Sequence, residues 1–213
     1  MMHAEQLAQG LAAMGLVLPA ECREKLLAYL ALLYKWNKTF SLTALREQDK
    51  AVSHHLLDSL SILPFVPDTP DTRLLDVGSG GGMPGIPLAI VRPDLRVTLL
   101  DSNSKKTAFL QQTAIELGLN NVCVHGGRVE QYHPEGGFAA ITSRAFAELA
   151  DFVRLSRHLL AREGCWLAMK GVWPRDEIDR LPDNVHVAAV HPLTVPGVDA
   201  ERHLVVMRQA ATE

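Results

Sequence analysis

The sequence predicts an α/β fold: a seven-stranded, mostly parallel sheet covered on both faces and entered through an N-terminal helical cap. Three observations carry that expectation. From Thr72 onward, short apolar runs alternate with helix-periodic segments. Residues 73–85 read as a buried strand, a glycine-rich turn and the opening of a helix. Residues 1–65 carry helical periods only, which divides the chain into a cap over 1–65 and a sheet domain over 66–213.

In the cap, Leu7, Leu11 and Met14 share one helical face over residues 3–14, and Gly15 is a stop signal. A second helix opens at Pro19, takes Glu21 and Glu24 at its positive end, and presents Leu26, Leu27, Leu30, Leu33 and Tyr34 as its apolar stripe. Residues 36–43 break the period and read as a loop with aromatic content. A third helix over 47–63 carries Val52, Leu56, Leu60 and Leu63 and ends at Pro64. Pro64, Pro67 and Pro70 mark the linker into the sheet domain.

Within that domain, the first strand runs to Gly78 and a helix follows over 84–91. The second strand ends at Asp101, and a helix over 104–117 stops at Gly118. Strands over 122–125 and 138–142 come next, then a helix over 147–160 burying Leu149, Phe152, Val153 and Leu159. A fifth strand over 165–169 leads to Lys170, and a short helix over 173–181 precedes closing strands at 185–190 and 203–207.

Composition narrows the class. With 213 residues, 47% of them hydrophobic, the chain is long enough to bury one large core plus an appendage. No apolar run reaches the roughly 18–20 residues of a membrane span, and the first ten residues lack a secretory pattern, so a cytoplasmic protein is expected. Three widely spaced cysteines, Cys22, Cys123 and Cys165, argue against a disulfide framework or a Cys-x-x-Cys metal site. A formal net charge of -3 announces no polyanion partner, yet a local basic face suffices for RNA.

The chemistry gathers at the glycine turn. Leu74, Leu75 and Val77 supply a parallel-sheet strand, and glycines let the backbone turn sharply and approach a ligand without a Cβ in the way. A dinucleotide fingerprint needs glycine where Met83 stands. The spacing of Asp76, Gly78, Gly80 and Gly82 instead resembles the first motif of class I S-adenosylmethionine-dependent methyltransferases, whose Rossmann-like sheet ends in an antiparallel strand. Asp101, roughly 20 residues past the turn, sits where an acid accepts hydrogen bonds from a ribose diol, or alternatively caps the following helix with Ser102 and Ser104.

Ligands of open α/β sheets lie beyond the carboxyl ends of the strands, which points to residues 78–83, Asp101, 126–130, 143–145 and Lys170. Arg144 and Lys170 each end an apolar strand, either as ligand contacts or as surface cations. Residues 142–146 lack the Asn/Asp-Pro-Pro-aromatic turn that accompanies methylation of exocyclic amines in this superfamily. Cys123 and Cys165, inside apolar strands, are core residues and not nucleophiles. A ring nitrogen with a lone pair needs neither device. His54, His55 and Asp58 share helical faces, but no third ligand completes a metal site, so they read as a helix pair joining cap to core and no metal is expected. Lys105 with Lys106, and Arg154 with Arg157 and His158, form basic clusters on exposed faces.

Taken together, Leu75–Leu88 with its Pro84, Gly85, Ile86 and Pro87, then Leu99–Ser102, Gly127–Glu130, Ile141–Phe146 and Ala168–Gly171, resemble the bacterial small-subunit ribosomal RNA guanine-N7 methyltransferases, also called the glucose-inhibited division protein B family. Tyr34–Lys38, Leu42, Thr43 and His55–Ser59 are similar too, so the likeness spans residues 25–171. It implies S-adenosylmethionine as cofactor, contacted by Gly78, Gly80, Gly82 and Met83, by Val129 and Glu130 near the adenine, and by Arg144, with Asp101 on the ribose. It implies small-subunit (16S) ribosomal RNA or the 30S particle as partner, Arg144 and Lys170 as residues orienting the base, and a monomer. Gly81 departs from relatives that carry proline there. A small-molecule methyltransferase of the same fold, or a nucleotide-binding regulatory module without chemistry, remain the alternatives. A basic rim formed by Arg92, Lys105, Arg144 and Lys170 favours RNA.

Overall fold

The computed structural model describes residues 2–45, 47–69 and 71–210; Pro70, one of the expected linker residues, lies outside them. Two helices open the chain, α1 (Met2–Ala13) and α2 (Ala20–Phe40). A turn at Gln48–Lys50 leads into a π-helical stretch, Val52–Leu57, which continues as α3 (Asp58–Leu60). Thereafter β1 (Arg73–Val77), α4 (Gly85–Val91), β2 (Arg96–Asp101), α5 (Ser104–Glu116), β3 (Val122–Gly126) and β4 (Phe138–Arg144) alternate. The chain closes with α6 (Leu149–Ser156), β5 (Leu160–Lys170), α7 (Arg175–Ile178), β6 (Val185–Pro192) and β7 (His203–Gln209).

One seven-stranded sheet results, in the order β3-β2-β1-β4-β5-β7-β6. All pairs are parallel except those of β7, which runs antiparallel to β5 and β6. Alternating strand residues feed two cores. Leu74, Val97, Leu99, Leu167 and Leu204 face the cap helices, α4 and α5, whereas Leu75, Leu100, Ile141, Trp166 and Val205 face α6. The cap therefore shares one hydrophobic cluster with a face of the sheet: Leu26, Leu30 and Leu33 of α2 lie in it with Ile86 and Phe109.

Four expectations are corrected. First, residues 36–40 are the last turn of α2 and not a loop; Trp36 packs on Phe109 with ring centroids 5.6 Å apart, and the helix ends where Ser41 turns left-handed at φ 49°. The missing period reflects aromatic packing against α5, which a solvent-facing pattern does not register. Second, the expected third helix is wound wide in its middle, the Asp58 amide donating to the Ser53 carbonyl. Third, Cys123 is exposed, because β3 is an edge strand; only Cys165 is buried. Fourth, β5 begins at Leu160, five residues early, since its first residues pair by backbone while Arg162 and Glu163 point outward and carry no apolar signal.

Candidate functional site

Strand order reverses between β1 and β4, so the helices after these two strands leave a crevice beyond their carboxyl ends. The crevice is a groove with two adjoining parts. Its larger part, about 590 Å³, is lined by Gly78–Gly81, Met83, Lys106, Arg144, Ala145, Met169–Gly171, Arg202 and His203, with Leu42, Thr43 and Asp58 from the cap. A second part, about 360 Å³, shares Gly78, Lys106 and Ala145 with it and reaches Asp101, Ser102, Val129 and Glu130.

The turn at its centre is built as its spacing predicts. The amides of Gly78 and Ser79 both donate to the Leu100 carbonyl at 2.8 and 3.0 Å, tying the turn to β2. Gly78 stands at φ 68°, and a Cβ there would meet Phe146 at 2.6 Å, so no other residue fits without displacing that ring. At Gly80 an added Cβ meets nothing nearer than 3.8 Å, which leaves the backbone open to the groove. Gly82 serves otherwise: it does not line the groove, and a Cβ there would meet Ile86 at 2.6 Å and Leu110 at 3.1 Å. Its smallness packs the turn against α4 and α5.

Asp101 is buried at the end of β2. Its carboxylate accepts the Gly80 amide at 2.8 Å on one oxygen and the Asn103 amide at 2.9 Å on the other, so each oxygen keeps a lone pair for a ligand hydroxyl. Capping of α5 falls to Asn103, whose side chain accepts from the amides of Lys105 and Lys106, a role expected of Asp101, Ser102 or Ser104. Val129 is buried and Glu130 exposed in the turn beside this end of the groove.

Arg144 ends β4 and lines the groove, and Ala145 after it turns left-handed at φ 53°. Its guanidinium donates to the His54 carbonyl at 2.9 Å, to Asp58 at 3.0 Å and to the Met83 sulfur at 3.0 Å. The His54 carbonyl is freed for that contact within the wide π-helical turn, so the irregular helix and the site arise together. Buried Asp58 accepts Arg202 on its other oxygen at 2.9 Å. Neither histidine meets Asp58: His54 turns to Ser53 at 2.9 Å, and His55 Nε2 lies 3.3 Å from the Thr43 hydroxyl. Burial, and then the neighbouring Arg144 charge, push the His55 pKa down to about 4. Lys170 donates to the Ala147 carbonyl at 2.9 Å and to Glu177 at 2.7 Å, joining β5 to α7.

Several members of the site were missed. Arg202 and His203 lie beyond Gly171, outside the span of the resemblance read from motifs. Tyr29 of α2 is fully buried and donates to the Gly81 carbonyl at 2.6 Å, holding the turn from the cap side. Asp76 is also fully buried, one oxygen accepting the Gly85 amide at 3.1 Å and the other without a partner; burial above all pushes its pKa up to about 7. Arg92, expected on the basic rim, sits at the opposite edge of the sheet and pairs with Asp68 and Asp94. Of the neighbouring lysines, Lys106 and not Lys105 lines the groove. Arg154 is paired with Asp151 on the surface. No group of His, Cys, Asp and Glu among the described residues is arranged to hold a metal ion, and no described helix is long and apolar enough to cross a membrane.

Known proteins share this architecture. A Thiobacillus denitrificans S-adenosylmethionine-dependent methyltransferase, solved with S-adenosyl-L-homocysteine, superposes with a TM-score of 0.55 at 12% identity, over 72% of this chain and 91% of that one. An S-adenosylmethionine-dependent methyltransferase from Aquifex aeolicus gives 0.59 at 16% identity, over 82% and 97%. Both likenesses establish the class I methyltransferase fold. In sequence, a Chromobacterium violaceum protein named ribosomal RNA small subunit methyltransferase G is 59% identical over 206 residues, covering 97% of this chain and 98% of its own. The family model described as rRNA small subunit methyltransferase G matches residues 22–205, past Gly171 where the resemblance read from motifs stopped. This chain belongs to the rRNA small subunit methyltransferase G family.

Proposed function

We propose that the chain transfers a methyl group from S-adenosylmethionine to N7 of a guanine in small-subunit ribosomal RNA, free or within the 30S particle, as a cytoplasmic monomer that carries its whole groove on one chain. The observation that carries this reading is the groove itself, which joins a carboxylate end at Asp101 to an end ringed by Lys106, Arg144, Lys170 and Arg202. The residues fit the donor. Asp101 and Glu130 suit the ribose and adenine side, Val129 packs beside them, the backbone of Gly78 and Gly80 admits close approach, and Met83 with Arg144 flanks the methionine side. Gly82 supports the turn from behind. The donor, when bound, supplies an electrophilic methyl on a sulfonium centre.

The proposed reaction calls on no group to deprotonate the nucleophile. Asp58 is held by two arginines and His55 and Asp76 are buried, while His203 reaches the Gly171 carbonyl through Nδ1 at 2.7 Å. Guanine N7 presents a lone pair and needs alignment, not a base. We assign that alignment to Arg144 and Lys170, acting on guanine O6 or a flanking phosphate. Glu177 balances Lys170, so the positive charge of the methylated ring does not meet an isolated ammonium.

Mass mapping of modified nucleosides in ribosomal RNA, from cells with and without this protein, tests the reading. N7-methylguanosine is expected to vanish from one small-subunit position on deletion, to return with the wild-type chain, and to stay absent with Asp101→Ala. An unchanged nucleoside, or loss of a methyl from another atom, overturns it.

A further inference from the structure

Two large apolar side chains stand in solvent where β5 ends. Val172 is 72% exposed and Trp173 is 48% exposed, and they are the only sequence neighbours among the exposed large hydrophobic residues described. The other two tryptophans are used differently: Trp166 is fully buried with its indole N–H on the Ser156 hydroxyl, and Trp36 packs against Phe109. Trp173 is not a loose tip. Its ring meets the His203 ring edge to face, with centroids 5.6 Å apart and planes at 76°. His203 is itself fixed, pairing with Lys170 in the sheet register and reaching the Gly171 carbonyl. Lys170, Gly171, Arg202 and His203 line the groove, and Trp173, which does not, packs on His203 from outside with about half of its surface left to water.

We propose that Trp173 is a stacking platform for an unpaired RNA base flanking the methylated guanine. The proposal rests on the RNA reading above and deepens it. A small acceptor would be contained by the groove and would not reach a ring on the outside of its wall. An RNA loop with one base turned into the groove must carry its neighbours across the rim, unstacked and in search of an aromatic surface. The cations Lys106, Arg144 and Arg202 beside the wall suit the phosphates of that strand, so charge and stacking face the same ligand. Holding the ring against His203 also reduces the freedom lost when a base settles on it.

The test uses the full chain, a small-subunit RNA transcript containing the methylated site, and the variants Trp173→Ala and Trp173→Phe. Trp173→Ala is expected to weaken RNA binding by about tenfold or more, the range of base stacking on an aromatic ring. Trp173→Phe should stay within about threefold of wild type by the same stacking argument. Affinity for S-adenosylmethionine and the single-turnover rate at saturating RNA should be unchanged in both. RNA should quench a component of wild-type indole fluorescence that Trp173→Phe lacks. If wild type methylates the transcript and Trp173→Ala binds it equally well, the platform is wrong and the RNA reading stands. If Trp173→Ala instead loses S-adenosylmethionine affinity, the ring is structural and the platform is equally wrong. A wild-type chain that neither binds nor methylates the transcript or the unmethylated 30S particle overturns the underlying reading.

Discussion

Asp76, next to last in β1, and Asp101, last in β2, lie 25 residues apart in sequence, and their surroundings give them different chemistry. Asp101 has two amide donors and an outlet to the groove; Asp76 has one donor and none. Folded Asp76 keeps its proton up to about pH 7, whereas the unfolded chain releases it near the ordinary value of about 4. Between those values the folded state binds more protons, so this group lowers stability as pH rises, and the loss is complete above about 7. His55 acts in the opposite sense, because the folded state refuses a proton that the unfolded chain takes near 6.5, and its contribution is lost as pH falls through about 4. Comparing Asp76→Asn with wild type cancels the histidine. The variant is expected to gain relative stability from pH 4 to 7 and to hold that difference above pH 7. The gain reaches up to about 4 kcal/mol, the free energy of a proton affinity that differs about a thousandfold between folded and unfolded chain. Urea unfolding at stepped pH measures it; a difference that does not vary with pH would mean that Asp76 is ionised in the folded protein throughout.

At the scale of elements, legibility follows the range of the interaction that makes each feature. The strand, turn and helix of 73–91 were readable because glycine spacing and apolar runs act locally, and Asp101 because strand lengths fix its distance from the turn. Asn103 capping α5 was overlooked beside two serines and an aspartate, all plausible caps. The wide turn at Val52–Leu57 was not readable, since the contact that accompanies it comes from a guanidinium 90 residues away on β4. Tyr29 shows the same limit: it lies three residues from Leu26 on the apolar stripe, so the sequence marks it as buried, but its bond to Gly81 spans 52 residues. That bond joins cap to turn. Tyr29→Phe keeps the ring and strands a buried carbonyl, and is expected to lower stability by about 1–3 kcal/mol. A thermal melt reads the loss, and S-adenosylmethionine affinity should fall with it, because the Gly81 carbonyl and the groove-lining amides belong to one turn. Unchanged affinity in a destabilised variant would mean that the turn holds its shape without the cap.

For the whole molecule, a net charge of -3 and an RNA substrate are compatible only if charge is segregated. The groove edge gathers Lys106, Arg144, Lys170 and Arg202 against Asp58 and Glu177, an excess of cations. Their availability differs. Arg144 and Arg202 share Asp58, and Lys170 is bound to Glu177, whereas the Lys106 ammonium has no ion pair or hydrogen bond among the described residues. Lys106 also lines both parts of the groove, from the start of α5. It is therefore the cation best placed to meet a phosphate without first breaking an internal bond. Each phosphate neutralised releases condensed counterions, so RNA affinity should fall linearly with salt on logarithmic axes, by about 0.7–0.9 per contact. Lys106→Ala is expected to flatten that slope by about one contact and to leave the melting temperature unchanged. Lys25 supplies the control, since it sits with Asp71 and Arg96 at the opposite edge of the sheet, paired with Glu21. Lys25→Ala should leave the slope as it was. If both variants flatten it equally, RNA is held by diffuse attraction and not along the groove, and the orientation assigned to the substrate is wrong.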